Sequence, residues 1–136
     1  MFKTILVPIE MAHVAESEAV VNLAKQQSAD GAKIILLNVV EEIPTWAASA
    51  IPADIIERSK ETSRKQLEAL ADSSGPSVEA RIRSGHAYNT ILDEAESSGA
   101  DLIIIQSHRP GLQDYLLGST AAKVVRHATC SVLVLR

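Results

Sequence analysis

The sequence predicts a single α/β domain built on an open, doubly wound parallel sheet. Short apolar runs alternate with longer segments of helical period along all 136 residues. The segments between successive strands are long enough to be crossover connections between parallel neighbours. Two runs, Ile34–Leu37 and Leu102–Ile105, are apolar on both faces, as strands are when helices cover both sides of a sheet. A chain of this length is of a size for one domain, over 1–136.

Five elements are predicted in the first half of the chain. The first run is rich in β-branched residues, which favour a strand, and the apolar residues of the next segment recur near helical spacing. Asp30-Gly31 is expected to end that helix, and Ser73-Ser74-Gly75-Pro76 to close the second one. In order, the elements are a strand over Phe2–Ile9, a helix from about Val14 to Gln27, a strand over Lys33–Val40, a loop over Glu41–Pro52 and a helix over Ala53–Ala71.

Five further elements are predicted in the second half. The first of them is a more polar strand, which places it near the sheet edge, and Gly99 is expected to cap the helix that follows. In order, they are a strand over Val78–Arg83, a helix over Ala87–Ser98, a strand over Leu102–Gln106, a helix over Ser119–His127 and a strand over Ser131–Leu135.

The composition argues against several classes of protein. Aromatic residues are 3% of the chain, too few for single-strand nucleic-acid platforms, and a net charge of −4 lacks the basic footprint of a duplex binder. The apolar runs are far shorter than the roughly 20 residues of a membrane-spanning helix. The N-terminus shows no signal-peptide features, so we expect a cytoplasmic protein. With one cysteine and with His13, His86 and His127 lacking the paired spacing of a zinc site, no internal disulfide and no structural metal are expected.

The carboxyl ends of the first and fourth strands are the predicted ligand site, because ligands of such sheets bind where the strand order reverses. If these strands are neighbours, Pro8, Ile9 and Glu10 face the same crevice as the loop from Gln106 to Gly111. The first turn has no glycine, which argues against a dinucleotide fingerprint. Gly118-Ser119-Thr120 then opens a helix, where unpaired N–H groups and the helix dipole favour phosphate. The pattern therefore indicates a nucleotide-binding module.

Six segments, in a fixed order, carry a family resemblance. They are Lys3–Glu10, Leu36–Glu41, Ala100–Ile104, Leu116–Ser119, Val124–Ala128 and Val132–Val134. Together they resemble the universal stress protein family from end to end. The resemblance implies a flavodoxin-like or adenine nucleotide α-hydrolase-like fold with five parallel strands in the order 3-2-1-4-5. It also implies a cytoplasmic homodimer paired through the last strand, whose open edge needs a cover.

The phosphate loop departs from the family's ATP-binding branch, in which it reads Gly, two residues, Gly, nine residues, then Gly-Ser or Gly-Thr. This chain keeps Gly118-Ser119. The two earlier glycine positions fall on Ile105 and His108, or on Gln106 and Arg109 if the loop is one residue shorter. The loop looks like a short-loop variant known from some bacterial members, in which Arg109 offers phosphate oxygens a planar charged fork.

The resemblance also implies a set of site residues. Glu10 stands for the acid that contacts the ribose or a bound metal, and Val40 sits where a backbone edge reads adenine. The expected ligand is ATP, with or without Mg²⁺, and no catalytic residue is assigned. The nucleotide-binding set is Pro8, Ile9, Glu10, Val40, Ser107, His108, Arg109, Gly111, Gly118, Ser119 and Thr120.

Several of these residues also have a purely structural explanation. Gly118-Ser119-Thr120 suits a helix N-cap, and Arg109 before Pro110-Gly111 suits a solvated turn. Glu10 suits a surface carboxylate at a loop mouth, and His108 suits a residue that fixes the loop through a backbone hydrogen bond.

Three functions stay open from the sequence. The first is an ATP-binding, dimeric stress-response regulatory module with at most slow autophosphorylation or hydrolysis, because no positioned nucleophile can be named. The second is a nucleotide-free regulatory partner of a transporter or another protein, which the missing glycines would permit. The third is a hydrolase of adenine nucleotides with measurable turnover.

Overall fold

One parallel sheet carries the fold in the computed structural model, which describes residues 1–107 and 118–136. The elements are β1 (Phe2–Pro8), a 3-10 helix (Met11–Glu16), α1 (Ser17–Gln27), β2 (Ser28–Val40), α2 (Thr45–Ala48), α3 (Ala53–Ser74), β3 (Val78–Ser84), α4 (Ala87–Ser98), β4 (Leu102–Gln106), α5 (Ser119–His127) and β5 (Ser131–Leu135). The strand order is β3-β2-β1-β4-β5, and every pairing is parallel. This confirms the predicted fold class, the order 3-2-1-4-5 and the edge positions of β3 and β5.

Helices cover both faces of the sheet because successive strand side chains point to opposite faces. On one face, alternate residues of the central strands pack against α1 and α3, whose buried residues include Val20 and Leu67. On the other face, the intervening residues pack against α4 and α5, whose buried residues include Ile91 and Val124. The central strands are therefore apolar on both sides, as their sequences predict.

Two predicted boundaries in the first half are wrong. The helix expected from Val14 begins as the 3-10 helix Met11–Glu16, because His13 leaves the helical region at φ −120° and ψ 23°, and α1 starts only at Ser17. The second strand starts at Ser28 and not at Lys33, since Asp30-Gly31 does not interrupt it. Instead, Gly31 adopts φ 77° within a register shift between the pairs Phe2↔Ser28 and Thr4↔Lys33.

The connection before α3 and the end of α3 also differ from expectation. The loop predicted over Glu41–Pro52 contains the short helix α2. Helix α3 runs to Ser74 and not to Ala71, and in its last turn the hydroxyls of Ser73 and Ser74 donate to the Leu70 carbonyl at 3.0 and 2.6 Å.

Asp101 joins the amino-terminal ends of β1 and β4. Its carboxylate accepts hydrogen bonds from the Lys3 amide at 2.9 and 3.1 Å and from the Thr4 amide at 2.9 Å. Its own amide donates to the Thr4 carbonyl at 2.9 Å. Burial acts to raise the pKa of Asp101, but the amides of Lys3 and Thr4 outweigh it and hold the pKa below its ordinary value.

Asp101→Asn should lower the free energy of unfolding at neutral pH by about 1–2 kcal/mol, because hydrogen bonds to a charged acceptor are lost. Since the folded pKa of Asp101 is depressed, its contribution is present above the ordinary carboxyl pKa and is lost as pH falls through the lowered value. Urea unfolding of both proteins should therefore show a difference that shrinks in acid. Asp72→Asn, at an exposed position of α3, is the matched control. Equal stability of wild type and Asp101→Asn at neutral pH would contradict a stabilising link between β1 and β4 through Asp101.

Candidate functional site

A cavity of about 270 Å³ opens at the carboxyl ends of β1, β2 and β4. The chain leaves β1 towards α1 on one face and leaves β4 towards α5 on the other, so this crevice lies at the reversal point where ligands of such sheets bind. Its walls come from the turn after β1, the ends of β2 and β4, and the first turns of α4 and α5. They are lined by Pro8, Ile9, Glu10, Met11, Ala12, Leu37, Asn38, Val39, Ala87, Ile91, Ile105, Gln106 and Thr120.

The crevice exists because β1 and β4 pair over only part of their length. Their register pairs are Ile5↔Leu102 and Leu6↔Ile103. By contrast, β1 stays paired with β2 as far as Pro8↔Leu37. The carboxyl ends of β1 and β4 are thus free to separate, while Asp101 holds their amino ends together.

The floor of the crevice is apolar, and its mouth carries charge. Leu37, Ile91 and Ile105 are buried, which suits the face of a planar ring. Glu10 lies at the mouth with 65% of its side chain exposed, and its Oε2 atom is 3.9 Å from Nε2 of His13. Glu10 is therefore placed to meet polar groups of a ligand rather than its apolar part.

Asn38 fixes the turn that carries Glu10. It is buried, and its Nδ2 donates to the Ile9 carbonyl at 2.9 Å, while the Ile9 amide donates to the Leu37 carbonyl at 2.8 Å. Sequence reasoning missed Asn38. Its signal was an amide side chain in the otherwise apolar run Ile34–Val40, where a buried polar group needs a specific partner.

The end of β2 presents Val39, rather than Val40, to the crevice. The Leu37 carbonyl faces β1, where it accepts the Ile9 amide, and the Val40 carbonyl faces β3, where it accepts the Gly85 amide at 3.1 Å. Because backbone groups alternate along a strand, the amide and carbonyl of Val39 point to the β1 side, beyond the last β1–β2 pair. Val40 lines a second cavity instead.

Ser107 ties the end of β4 to the start of α5. It is only 9% exposed, its Oγ accepts the Gly118 amide at 2.8 Å, and its own amide donates to the Leu135 carbonyl at 2.8 Å. Gly118 is itself the N-cap of α5, so Ser119 and Thr120 occupy the first helical positions and not the cap. The first turn of α5 therefore enters the crevice wall at Thr120.

An ion-pair cluster fixes α4, which supplies another wall. The Glu94 side chain, 4% exposed, pairs with Arg81 at 3.2 Å and with Arg83 at 3.4 Å on β3. Buried charge of this kind is tolerated only when paired, so it holds α4 in one position over the edge strand.

The structure brings together part of the predicted site. Pro8, Ile9, Glu10 and Thr120 line the crevice, and Gly118 and Ser119 directly precede Thr120. Ser107 supports the start of α5, and Val40 lies at the second cavity. His108, Arg109 and Gly111 lie outside the described residues.

Residues 1–107 and 118–136 contain neither a metal-ligand cluster nor a membrane-spanning helix. No group of three or more histidine, cysteine, aspartate or glutamate side chains in these ranges is placed to hold a metal ion. No helix in the same ranges is long and apolar enough to span a bilayer.

Asn38→Ala should lower the free energy of unfolding by about 1–3 kcal/mol, because it leaves the Ile9 carbonyl without its donor. Urea unfolding measures this loss. Asn22→Ala, on the exposed side of α1, is the matched control and should change stability by no more than about 0.5 kcal/mol. Equal losses in the two variants would show that the Asn38 bond does not hold the turn.

Comparison with known proteins places the chain in a family. The model of the universal stress protein family matches residues 1–136. Universal stress protein G of Escherichia coli O157:H7 is 30% identical over 142 aligned positions, which cover 100% of both chains. The structure of universal stress protein UspA from Lactobacillus plantarum is similar with a TM-score of 0.68 at 29% identity, covering 98% of this chain and 97% of that one. A universal stress protein from Archaeoglobus fulgidus in complex with dAMP has a TM-score of 0.64 at 16% identity, covering 98% of each chain. The chain belongs to the universal stress protein family.

Proposed function

We propose that this chain is a cytoplasmic universal stress protein that binds ATP in the crevice and acts as a dimeric regulatory module, with at most slow autophosphorylation or hydrolysis. The observation that carries the proposal is the crevice itself, where Val39, beyond the last β1–β2 pair, and Thr120 in the first turn of α5 line different walls of one cavity. A ligand with a flat hydrogen-bonding ring at one end and an anion at the other matches these two walls.

The adenine ring is assigned to the Val39 wall. The amide and carbonyl of Val39 form a donor and an acceptor on one edge of β2, complementary to N1 and the exocyclic amine of adenine. Leu37, Ile91 and Ile105 supply apolar surface for the ring. Val39 therefore takes the adenine-reading role that the family resemblance had assigned to Val40.

The phosphates are assigned to the start of α5. The amides of Ser119 and Thr120 are in the first turn of the helix, where the dipole favours negative charge. Gly118 is the N-cap, and its amide already donates to Ser107 Oγ, so it is not assigned to phosphate. Glu10 at the mouth suits the ribose hydroxyls or a bound Mg²⁺, and Arg109 is retained as the cation of the loop after Ser107.

The size of the crevice agrees with this division. A volume of about 270 Å³ is near the lower end of ligand pockets, which span roughly 300–1,000 Å³. It suits the nucleoside part, with the phosphates extending along α5. The Archaeoglobus fulgidus universal stress protein in complex with dAMP shares the fold of this chain at 16% identity, and that likeness shows the fold alone. The proposal therefore stands on the crevice of this chain.

A second copy of the chain is proposed to cover the open edge of β5. The Leu135 carbonyl faces β4, so alternation turns the backbone groups of Val132 and Val134 outward. An unpaired edge of this kind is a template for another strand. Pairing of two β5 strands supplies the dimer.

The alternative function is that of a nucleotide-free protein that regulates a transporter or another partner. It is favoured by the replacement of both early motif glycines, which removes the close backbone approach that they allow. A titration with nucleotide separates the two functions.

ATP should copurify with the protein or bind to the stripped protein. Denaturation followed by chromatography and mass measurement identifies any released nucleotide, and calorimetry of the stripped protein with ATP, ADP and AMP, each with and without Mg²⁺, gives the affinities. Ala87→Phe, which fills the crevice, should weaken ATP binding at least about tenfold, a change of about 1.4 kcal/mol. The wild-type protein should release phosphate from ATP no faster than the Ala87→Phe variant does.

Ala69→Phe, at an exposed site of α3, is the control for Ala87→Phe and should bind ATP like wild type. Neither copurified nor titratable nucleotide in folded wild-type protein would refute the ATP proposal and favour the nucleotide-free function.

Val134→Pro should convert the dimer to a monomer, because it removes an outward N–H donor from β5 while edge strands tolerate proline. Analytical ultracentrifugation at micromolar protein measures the mass, and far-UV circular dichroism checks the fold. Val134→Thr keeps the amide and should remain dimeric. A monomeric wild type, or a Val134→Pro variant that stays dimeric, would contradict pairing through β5.

A further inference from the structure

A second cavity, of about 600 Å³, lies beyond the end of β2 and against the start of α3. Its apolar lining includes Val40, Ile43, Ile51, Ile55 and Ile56, and we call it the isoleucine groove. Ile43, Ile51 and Ile55 are 38%, 39% and 53% exposed. A cluster of exposed apolar side chains is typical of a surface that binds a partner.

Trp46 lies on α2, within the segment whose two ends supply Ile43 and Ile51 to the isoleucine groove. It is 82% exposed, the highest value among the exposed large apolar residues of the described ranges. Tryptophan is enriched among the residues that dominate binding energy at interfaces. Trp46 does not itself line the groove, but it stands between two lining residues along the chain, and its exposed side chain is available to a segment bound there.

Negative charge borders the isoleucine groove. Glu41 and Glu42 are part of its lining, and within the described residues neither has an ion-pair partner. Lys60 also lines the groove, but it is paired with Glu57 at 4.0 Å, and the neighbouring Asp54 is paired with Arg58 at 3.8 Å. The groove thus offers two exposed, uncompensated carboxylates to an occupant.

We propose that the isoleucine groove docks a protein partner through an amphipathic helix whose apolar face is flanked by lysine or arginine. The apolar face fills the groove and covers Trp46, and the cations meet Glu41 and Glu42. A second copy fits less well, because a two-fold contact would set these carboxylates against themselves. An anionic lipid surface is repelled by the same two carboxylates.

The site is distinct from the nucleotide crevice and from the β5 edge. Val39 lines the crevice and Val40 the groove, on opposite faces of the same strand end. The groove lies at the β2–β3 side of the sheet, and β5 is the opposite edge. The proposal therefore does not rest on nucleotide binding.

A Leu/Lys peptide of about 18 residues, with leucine at helical i, i+3 and i+4 spacing and no tryptophan, is the probe. Trp46 is the single tryptophan of the chain, so protein fluorescence reports on the groove. We expect a saturable blue shift of the emission on titration, and weaker binding as salt is raised. A Leu/Glu peptide of the same pattern should give no shift.

Variants locate the binding site, with anisotropy of the labelled Leu/Lys peptide as the common readout. Glu41→Gln/Glu42→Gln should weaken binding about three- to tenfold, and Ile55→Ser and Trp46→Ala should each weaken it at least about fivefold. The matched controls are Glu18→Gln/Glu96→Gln for charge and Val125→Ser for exposed apolar surface, and both should bind like wild type. All these positions are exposed, so the variants should fold, and circular dichroism checks that they do.

Four results would overturn the proposal. Equal binding of the Leu/Lys and Leu/Glu peptides, or equal binding by groove and control variants, would show nonspecific adhesion. Self-association that Trp46→Ala abolishes would assign the groove to a second copy. A blue shift of Trp46 with phosphatidylserine vesicles that matches the shift with the Leu/Lys peptide would assign it to a membrane.

Discussion

The unequal pairing of β1 with its two neighbours is the constraint on which the rest of the structure depends. β1 follows β2 to its last residue, yet it pairs with β4 only at Ile5↔Leu102 and Leu6↔Ile103. Asp101 fixes the amino ends of β1 and β4 through backbone amides, so the strands can part only at their carboxyl ends. The opening is thus a property of strand register, and the crevice walls inherit their positions from it.

Two buried polar side chains make this opening a defined shape. Asn38 joins the end of β2 to the turn after β1, and Ser107 joins the end of β4 to the first residue before α5. Each side chain bonds to the backbone of another element, so each connects two walls of the crevice. Because an unsatisfied buried partner costs more than the bond itself contributes, these two residues select one arrangement of the walls.

The sequence predicted the strands and the later helices well because their signals are local. Runs such as Leu102–Gln106 and Ser131–Leu135 are apolar, short and bounded by turn residues, and the structure has them with the same bounds. The start of β2 was missed because Gly31 is a turn signal in sequence but accommodates a register shift in the sheet. The strand order came from the family resemblance, since periodicity does not say which strands pair.

Parts of the candidate site depend on tertiary contacts that local sequence patterns do not predict. The choice between Val39 and Val40 depends on which side of β2 still has a neighbour after Leu37, and that is decided by where β1 ends. The isoleucine groove cannot be predicted from the sequence either. It forms only when residues near Ile43 and residues near Ile55, which α2 separates along the chain, line the same cavity. Both features follow from tertiary pairing and not from any motif.

Consecutive residues at the end of β2 line different cavities of the protein. Val39 and Val40 are consecutive residues, so their side chains point to opposite faces and their backbone groups to opposite neighbours. One therefore borders the crevice and the other the groove. The open edge of β5 is the side of that strand that faces away from β4, so it faces away from the crevice, and β1 and β4 separate β5 from the strands at the groove. A nucleotide, a partner helix and a second copy would then use different residues of this small domain, and none of the three would have to leave for another to bind.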